Sequence, residues 1–273
     1  MTSLRTKLAA AALATLCAIP VARPLFAADE PKKADAKTDA KKDAPLPPFN
    51  APAGPGANTL TDAEKQAGWK LLFDGKDLAG WHNFKKTDIK PGWQVKDGAL
   101  VCVNPKNAGD LCTADKYDWF ELSVDYNISE GGNSGIIYHI TDEGGAVWQT
   151  GPELQLQDNE HAHDPQLCGW LYELYKPEVD PKTGKPLDAT KPAGEWNNVR
   201  LILSPEKCEH YVNGVKYFEY QLGSEDFNKR VKASKFGTMK QFAKAGSGMI
   251  ALQGDHGQVA FRNIKIRPIE AKK

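Results

Sequence analysis

The sequence predicts an all-β fold, a two-sheet β-sandwich of jelly-roll type. Many short segments alternate apolar and polar residues with the period of a strand that buries one face, as between Trp119 and Ile128. Glycine-containing pairs separate such segments, and Asp97-Gly98 and Asn213-Gly214 suit the positive φ angles of two-residue hairpin turns. Few stretches have a helical period. This combination is typical of two packed antiparallel sheets.

Each element follows from local signals. Thr61 is expected to cap a short first helix, and Asp74-Gly75 marks a tight turn. The one amphipathic helix is expected between Ser224 and Ala233. The expected strands and hairpins are Trp93–Val103, Trp119–Ile128, Asn133–Ile140, Gly151–Asp158, Asn197–Ser204, Glu209–Phe218, Met249–Gln253 and Gln258–Ile269.

Residues 1–28 have the layout of a secretory signal peptide. Arg5 and Lys7 precede the apolar run Leu8–Val21, and small residues at 27 and 28 suit cleavage. We therefore expect a periplasmic or secreted product. Residue 16 before Cys17 is leucine rather than a small residue, which argues against a lipid anchor, and no later apolar run reaches about 18 residues. We expect no membrane insertion.

Residues 29–58 are rich in Lys, Asp, Ala and Pro, and are predicted to form a disordered linker because they have little to bury. Residues 59–273 remain for one large jelly-roll domain. The whole chain has 35 basic and 35 acidic residues, and the signal peptide holds three of the basic ones (Arg5, Lys7 and Arg23), so 32 oppose 35 after cleavage. This balance gives no reason to expect nucleic acid as a partner. The oligomeric state stays open.

Four cysteines follow the signal peptide: Cys102, Cys112, Cys168 and Cys208. In an oxidising compartment they allow two disulfides in three possible pairings, of which Cys102 with Cys112 closes the shortest loop. Four buried thiols are the alternative, since a domain of this size does not need cross-links. Their spacing does not suggest a zinc site.

The strand within Gly151–Asp158 carries the first sign of function. Strand parity places Glu153, Gln155 and Gln157 on one face and leucines 154 and 156 on the other. A carboxylate between amides can hydrogen-bond the hydroxyl groups of a sugar. The same alternation would also suit the solvated outer face of a sandwich strand.

Several motifs taken together resemble the 3-keto-disaccharide hydrolase family, and the resemblance covers about 210 residues. They are Gly-Trp-Lys-Leu-Leu-Phe-Asp-Gly-Lys-Asp-Leu (68–78) with Gly80-Trp81, Asn133-Ser-Gly-Ile, Glu153-Leu-Gln-Leu-Gln-Asp, Gly194-Glu-Trp-Asn, His256, and Phe261-Arg-Asn-Ile-Lys-Ile. The resemblance implies a concanavalin A-like jelly roll, of the lectin and glucanase type, that binds sugar on its concave face. It also implies cleavage of 3-keto-glycosides by elimination across C1–C2 and then hydration, with net hydrolysis as the outcome.

Such chemistry needs one base and one acid. A ketone at C3 acidifies the proton on C2, so a carboxylate or imidazole can remove it while an acid assists the leaving group at C1. Glu153 and His256 are the catalytic candidates; His256 lies in a turn between Gly254 and Gly257, where it could also be an ordinary surface residue. An ordinary glycosidase would want two carboxylates. Positions 155 and 157 of the same strand are glutamines.

Substrate contacts are expected from Asn133, Gln155, Trp196 and Arg262, with Arg262 a candidate to stabilise an enolate at C3. The alternatives are a structural salt bridge for Arg262 and a core position for Trp196. His139 is also a candidate, although the family pattern has Arg there. Trp148 and Tyr172 could stack on sugar faces.

The segment Asp158–Asp164 holds three acids and two histidines. Asp158, His161 and His163 could bind a divalent metal ion, although loop clusters of this kind are more often simply polar. The sequence thus leaves a metal cofactor possible.

Two other functions remain open. One is a non-catalytic, lectin-like carbohydrate-binding module, since a fold does not fix a function. The other is a conventional two-carboxylate glucanase. An enzyme acting on 3-keto-glycosides requires Glu153 and His256 to face a common cavity, which the structure can show.

Overall fold

The computed structural model describes residue 49 and residues 51–270, and within them two antiparallel sheets face each other. The strands are β1 (Lys70–Leu71), β2 (Trp81–Asn83), β3 (Trp93–Lys96), β4 (Ala99–Cys102), β5 (Leu111–Thr113), β6 (Phe120–Ile128), β7 (Asn133–Ile140), β8 (Glu153–Gln157), β9 (Asn197–Leu203), β10 (Cys208–Val212), β11 (Val215–Tyr220), β12 (Met249–Leu252) and β13 (Val259–Pro268). The helices are α1 (Asp62–Gln66), α2 (Glu225–Ala233) and three short 3-10 turns at Pro105–Asn107, Val147–Gln149 and Lys235–Thr238.

The larger sheet has eight strands and the smaller has five. The larger runs in the order β11-β10-β9-β6-β13-β4-β3, with β1 also paired to β13. The smaller runs in the order β2-β5-β12-β7-β8. The all-β, two-sheet prediction is confirmed.

The core lies between the two sheets, where the inward faces of the alternating strands meet. From the larger sheet, Leu122, Val124 and Tyr126 of β6 contribute side chains that are at most 2% exposed. From the smaller sheet, Leu154 and Leu156 of β8 are fully buried in the same cluster. The period-2 pattern therefore identified the buried face of both strands correctly.

The local turn and cap signals were also correct. Asp97-Gly98 and Asn213-Gly214 have positive φ angles and join β3 to β4 and β10 to β11. The Thr61 side chain caps α1 by accepting a hydrogen bond from the amide of Glu64, whose carboxylate bonds back to the amide of residue 61. This reciprocal arrangement is a capping box.

A β-bulge interrupts the pairing of β7 with β12. Met249 pairs with Ile140 and Ala251 pairs with Ile137, so three steps along β7 match two steps along β12. The extra residue is accommodated at His139, which has a φ of +54°. A bulge of this kind re-aims the side chain of the extra residue.

The packed domain begins earlier than the sequence predicted. Ala51 and Ala53 are at most 5% exposed and pack on the outer face of the larger sheet, against Ala99, Val101 and Ala260. The expected linker boundary at residue 58 is therefore wrong for residues 51–58, since small side chains can fit closely against a sheet even in a Pro/Ala-rich segment. The expected signal peptide and the rest of the linker, apart from residue 49, lie outside the described residues.

All four cysteines predicted as a possible disulfide set are free and buried. Cys102 lies in β4 of the larger sheet and Cys112 in β5 of the smaller sheet, so the pair with the shortest loop is divided between the two layers. Of the two alternatives, the structure shows buried thiols. Across residue 49 and residues 51–270, no helix has the length and apolar character to cross a bilayer.

Candidate active site

Strand β8 turns Glu153, Gln155 and Gln157 to the outer face of the smaller sheet. The side chains of the two intervening leucines point into the core, as parity predicts. This outer face is not open to solvent, since Glu153 is 7% exposed and Gln155 is 1% exposed. The strand carries polar groups on a face that the rest of the chain covers.

A cavity of about 190 Å³ opens over this face. Its lining comes from two strands of the smaller sheet, β7 and β8, and from the connecting segments that cover them. The lining residues are Asn133, Trp148, Glu153, Gln155, Asp164, Tyr172, Lys235, Gln253 and His256. Pockets for drug-sized ligands reach about 300–1,000 Å³. The cavity is therefore suited to a small group such as one sugar ring, with the remainder of a larger ligand outside.

Gly135 makes room for the carboxylate of Glu153. β7 and β8 pair with Gly135 opposite Gln155 and Ile137 opposite Glu153. A Cβ on Gly135 would lie 2.1 Å from Glu153 Oε1, far below a possible contact distance. The glycine of the Asn133-Ser-Gly-Ile motif thus has a steric reason to be a glycine, because the carboxylate lies over its backbone.

Glu153 is held in an environment that favours its neutral form. Burial raises the pKa of its carboxyl group to about 8, against the partly compensating charges of Lys235 and His256. No described residue donates a hydrogen bond to this carboxylate. The buried Nε2 of Gln155 beside it also has no hydrogen-bond partner among the described residues. Unpaired buried polar groups are costly, and a ligand with hydroxyl groups would satisfy them.

His256 faces the same cavity from the turn between β12 and β13. Its Nδ1 contacts a carboxylate oxygen of Asp255, and this bond raises the pKa of the imidazole. Burial and the charge of Asp255 raise the pKa of nearby Asp110 to about 6. Glu153 and His256 also influence each other's pKa. The two predicted catalytic residues are therefore in one cavity and electrostatically coupled.

The opposite wall of the cavity contains Tyr172, Asp164 and Lys235. The Tyr172 hydroxyl donates to Asp164 Oδ2 at 2.8 Å. The Lys235 ammonium stands 4.2 Å from the centre of the Tyr172 ring. Trp148 is the most exposed of the lining aromatic residues, with 37% of its surface accessible. Its exposed ring offers a stacking surface to a ligand group that projects from the cavity.

The structure corrects the expectation for His139. Strand parity would put its side chain on the cavity face with Asn133 and Gly135, but the bulge turns it away. It is 2% exposed, its Nε2 bonds the carbonyl oxygen of Asp118 at 2.7 Å, and its ring packs edge-on against Phe120. It is a buried structural residue and does not line the cavity.

Arg262 and Trp196 are corrected as well, because Arg262 lies in β13 of the larger sheet and Trp196 packs on the outer face of that sheet. Arg262 Nε pairs with Asp125 Oδ2 at 3.2 Å, and its guanidinium lies 4.2 Å from the centre of the Trp196 ring. The Trp196 indole nitrogen donates to the carbonyl of Pro52. These side chains secure the segment that begins at Ala51, and the salt-bridge alternative for Arg262 is the observed one.

Of the three predicted metal candidates, only Asp158 and His161 are in contact in the structure. Asp158 uses its carboxylate to accept hydrogen bonds from the amides of Gly131 and Glu160 and from His161 Nδ1, the last at 2.9 Å. His161 and His163 are exposed. The described part of the chain contains no group of three His, Cys, Asp or Glu side chains that could hold a metal ion.

Three lining residues carried no assigned role in the sequence prediction. Gln253 directly follows β12 on the way to His256, and its parity with Ala251 could have revealed it. Asp164 is the last residue of the acidic segment Asp158–Asp164, and its sequence context indicates only a polar loop residue. Lys235 follows α2, and no local sequence signal connects it with a strand 80 residues earlier.

The structure thus combines a two-sheet sandwich with a buried carboxylate, amides and an imidazole in a covered cavity on one sheet. Residues 68–267 match the family described as the 3-keto-alpha-glucoside-1,2-lyase-like domain, and the chain belongs to that family.

Individual relatives agree with this assignment. The chain is 29% identical over 238 residues to a 3-keto-disaccharide hydrolase of Bacteroides thetaiotaomicron, covering 74% of this chain and 79% of the relative. Two crystal structures from Parabacteroides distasonis, named as candidate glycosyl hydrolases, also match. One shares 34% identity at a TM-score of 0.70, covering 78% of this chain and all of the other. The second shares 28% at a TM-score of 0.54, covering 74% and 99%.

Proposed function

We propose that this protein is an enzyme that cleaves 3-keto-glycosides by elimination across C1–C2 followed by hydration. The observation that carries the proposal is the buried carboxylate of Glu153, which has no hydrogen-bond partner among the described residues and shares a small cavity with His256. Membership of the family supports the substrate class. The relative from Bacteroides thetaiotaomicron is named for hydrolysis of a 3-keto-disaccharide.

In the proposed mechanism Glu153 is the base. Its carboxylate takes the proton from C2, and the electrons of that C–H bond form an enolate with the C3 oxygen. As the C3 carbonyl re-forms, the C1–C2 double bond forms and the C1–O bond breaks. His256, as the imidazolium, gives its proton to the departing oxygen. In the hydration step water adds at C1 and gives a proton to the neutral His256, while Glu153 returns its proton to C2. Both groups regain their starting protonation, and the net change is hydrolysis.

The raised pKa of Glu153 suits this role. A carboxylate with a pKa near 8 is a stronger base than an ordinary one, and proton abstraction benefits when the catalytic pKa lies near the working pH. Asp255 favours the charged imidazolium of His256. The amides of Asn133, Gln155 and Gln253 are available to position sugar hydroxyl groups.

A conventional glycosidase remains a second candidate, because Asp164 is another carboxylate in the cavity wall. Both of its oxygens already accept hydrogen bonds, from the amide of Gln166 and from the hydroxyl of Tyr172, each at 2.8 Å. A carboxylate engaged in this way is less available as a nucleophile or acid. This observation favours the single-carboxylate mechanism.

Assays with paired substrates test the proposal. Purified protein is incubated with a panel of 3-keto-glucosides and with the same glucosides unoxidised, with and without chelator, and products are followed by NMR. We expect turnover of the keto sugars only. Glu153→Gln should lower kcat by about 10²- to 10⁴-fold while substrate binding survives, because glutamine keeps the shape but cannot accept the proton.

Two results would contradict the proposal: cleavage of the unoxidised sugars, which a glucanase would show, or an unchanged rate for Glu153→Gln. Binding of sugar with no turnover by either protein would indicate the carbohydrate-binding module. Gly246→Ala is the control for handling and folding, because it lies in an open loop where an added methyl group would have no other atom within 4 Å.

We further propose that the enzyme is exported to the periplasm or beyond. The proposal rests on the sequence pattern of residues 1–28. Expression of the full chain in a Gram-negative host, followed by fractionation and N-terminal sequencing, should recover a mature protein that begins near Asp29. Recovery of the intact chain in the cytoplasm would contradict it.

A further inference from the structure

Lys235 brings a positive charge to the cavity without an acidic partner. Its side chain lines the cavity, with the ammonium 4.2 Å from the centre of the Tyr172 ring and 5.3 Å from that of Phe236. No described acidic side chain forms an ion pair with it. By contrast, Arg262, the cation that the sequence suggested for this site, is paired with Asp125 on the other sheet.

The backbone that carries Lys235 is held firmly. Ser234 ends α2 by donating its amide to the carbonyls of Arg230 and Val231, and its hydroxyl accepts from the amide of Phe236. The next ring in the chain, Phe236, stacks on Phe242 with centroids 4.0 Å apart and planes 6° apart. Both phenylalanines are 2% exposed. The point from which the lysine side chain projects is therefore fixed by capping and packing.

The charge of Lys235 lowers the pKa of Glu153, the residue that must be ionised in the proposed function. Burial raises the pKa of Glu153, and among the charges that oppose burial Lys235 has the largest effect. The cavity is small, so the Lys235 ammonium that acts on the Glu153 carboxylate is also close to a negative oxygen that forms on a bound substrate.

The proposed reaction creates such an oxygen. When C2 loses its proton, the negative charge passes to the oxygen on C3, and fixed positive charge acts most strongly where charge develops. We propose that Lys235 is a catalytic residue that binds the C3 oxygen of the oxidised sugar and stabilises the enolate. This inference rests on the proposed function. The ammonium keeps its protons throughout, so the proton balance between Glu153 and His256 is unchanged.

The inference predicts a specific pattern for Lys235→Met. We expect kcat/KM on a 3-keto-glucoside to fall by about 10²- to 10³-fold, the loss typical of removing one donor to a developing oxyanion. Lys235→Arg should restore part of the loss, because it keeps a cation near the same place. Lys232→Met removes an exposed lysine of α2 three residues earlier and should leave kcat/KM unchanged.

The leaving group separates an enolate role from assistance at C1. The variants are assayed with two 3-keto-glucosides, one releasing 4-nitrophenol and one releasing methanol. An enolate role predicts the same fold-loss with both, since the C3 oxygen is common to them. A much smaller loss with 4-nitrophenol would place Lys235 at the leaving oxygen and overturn the inference. Deuterium uptake at C2 from heavy water, followed by NMR in recovered substrate, should slow in parallel with turnover.

The wild-type protein distinguishes the two levels of failure. If it turns over no 3-keto-glycoside, the proposed function fails and the inference falls with it. If it is active and Lys235→Met retains the wild-type kcat/KM, the proposed function stands and the role of Lys235 is refuted. Circular dichroism and the melting temperature of each variant show that a lost rate is not lost folding.

Discussion

Glu153 opposes folding whenever it ionises, because its carboxylate must leave water for a covered site. Its pKa in the folded protein is about 8, and its ordinary value is 4.5. Each unit of difference corresponds to about 1.4 kcal/mol between the two protonation states. The folded protein thus favours the protonated form, and the cost of ionisation appears between these two pKa values.

This cost predicts a pH-dependent stabilisation by Glu153→Gln. Below pH 4.5 the carboxyl group is protonated in both the folded and the unfolded chain, so it contributes no penalty. As the pH rises from 4.5 through about 8, the wild type progressively loses the stability that the neutral form provided, whereas the variant has nothing to ionise. We expect the variant to gain a few kcal/mol over the wild type at about pH 9 and little at about pH 4.

Urea unfolding at the two pH values measures this difference. Gly246→Ala, in an open loop, should show the same difference from the wild type at both pH values. A stability gain for Glu153→Gln that is equal under acidic and alkaline conditions would contradict the raised pKa. The glutamine variant is also expected to be inactive. A variant that is more stable and less active than the wild type would show that the ionisable carboxyl group at position 153 lowers stability while serving activity.

At the residue scale, the sequence predicted those site residues that depend on strand parity alone. Glu153, Gln155 and Asn133 line the cavity because the alternation of their strands is regular up to these positions. The prediction for His139 is wrong because a bulge occurs at this position, and bulges leave little trace in the pattern of apolar residues. Arg262 fails for another reason: parity identifies the face of a strand but not the sheet to which the strand belongs.

At the scale of elements, the site is a property of the β7–β8 pair. The carboxylate of one strand occupies the space left by the missing side chain of the other. The register that places Gly135 beside Glu153 is fixed by the buried residues on the opposite faces, since a slip of one residue would invert every side chain. Core packing on one face therefore sets the position of the Glu153 carboxylate on the other.

Gly135→Ala tests this arrangement. The new methyl group would overlap Glu153 Oε1, and the carboxylate, as the free end of a flexible side chain, would move to relieve the contact. We expect kcat/KM to fall by about 10²-fold, since small displacements of a catalytic group are costly, with a minor change in melting temperature. Gly246→Ala is the matched control, because a methyl group added there would have no other atom within 4 Å.

The opposite result would be informative. Unchanged activity of Gly135→Ala would mean that the position of the carboxylate over the glycine is not required for turnover. A large loss of stability together with activity would instead mean that Gly135 is needed for the fold, and the steric account of the site would be wrong.

At the scale of the whole molecule, the two outer faces differ in how their polar groups are paired. On the larger sheet, Asp125 accepts hydrogen bonds from Arg262, Asn263 and Asn198, and Glu121 is paired with two arginines. On the smaller sheet, Glu153 has no such donor among the described residues. The two acidic side chains on the larger sheet are thus paired with donors, whereas the one in the cavity of the smaller sheet is not paired with any described residue.

The four buried thiols give a prediction for the folded protein as a whole. Protein that begins near Asp29 should yield four titratable thiols in denaturant and few in the native state, because all four are buried. Its melting temperature should not depend on dithiothreitol. A native disulfide would typically contribute about 2–4 kcal/mol, so a marked fall in melting temperature on reduction would show that the protein contains one.

The sequence could predict the sandwich but not its assembly. Hairpin turns and apolar alternation are local, and they predicted ten of the thirteen described strands within a few residues. The short strands β1, β2 and β5 were missed, because two or three residues show no alternation. The pairing of β13 with β6, or of β12 with β7, joins segments more than 100 residues apart and depends on global packing. The packing of Ala51 and Ala53 was missed for a similar reason, because a Pro/Ala-rich composition does not reveal a sheet surface that small residues fit.

The bulge at His139 has a consequence for insertions and deletions. Ile137 and Ile140 lie on the same face of β7, although they are three positions apart in the sequence, because the chain gains one residue between them. Removing His139 would restore regular alternation and leave Tyr138 directed to the core. The face of β7 that carries Asn133 and Gly135 would keep its orientation toward the cavity. Removing a residue between 133 and 137 would invert part of that face. In alignments of this family, a one-residue gap is thus compatible with the site at position 139 and incompatible with it a few residues earlier.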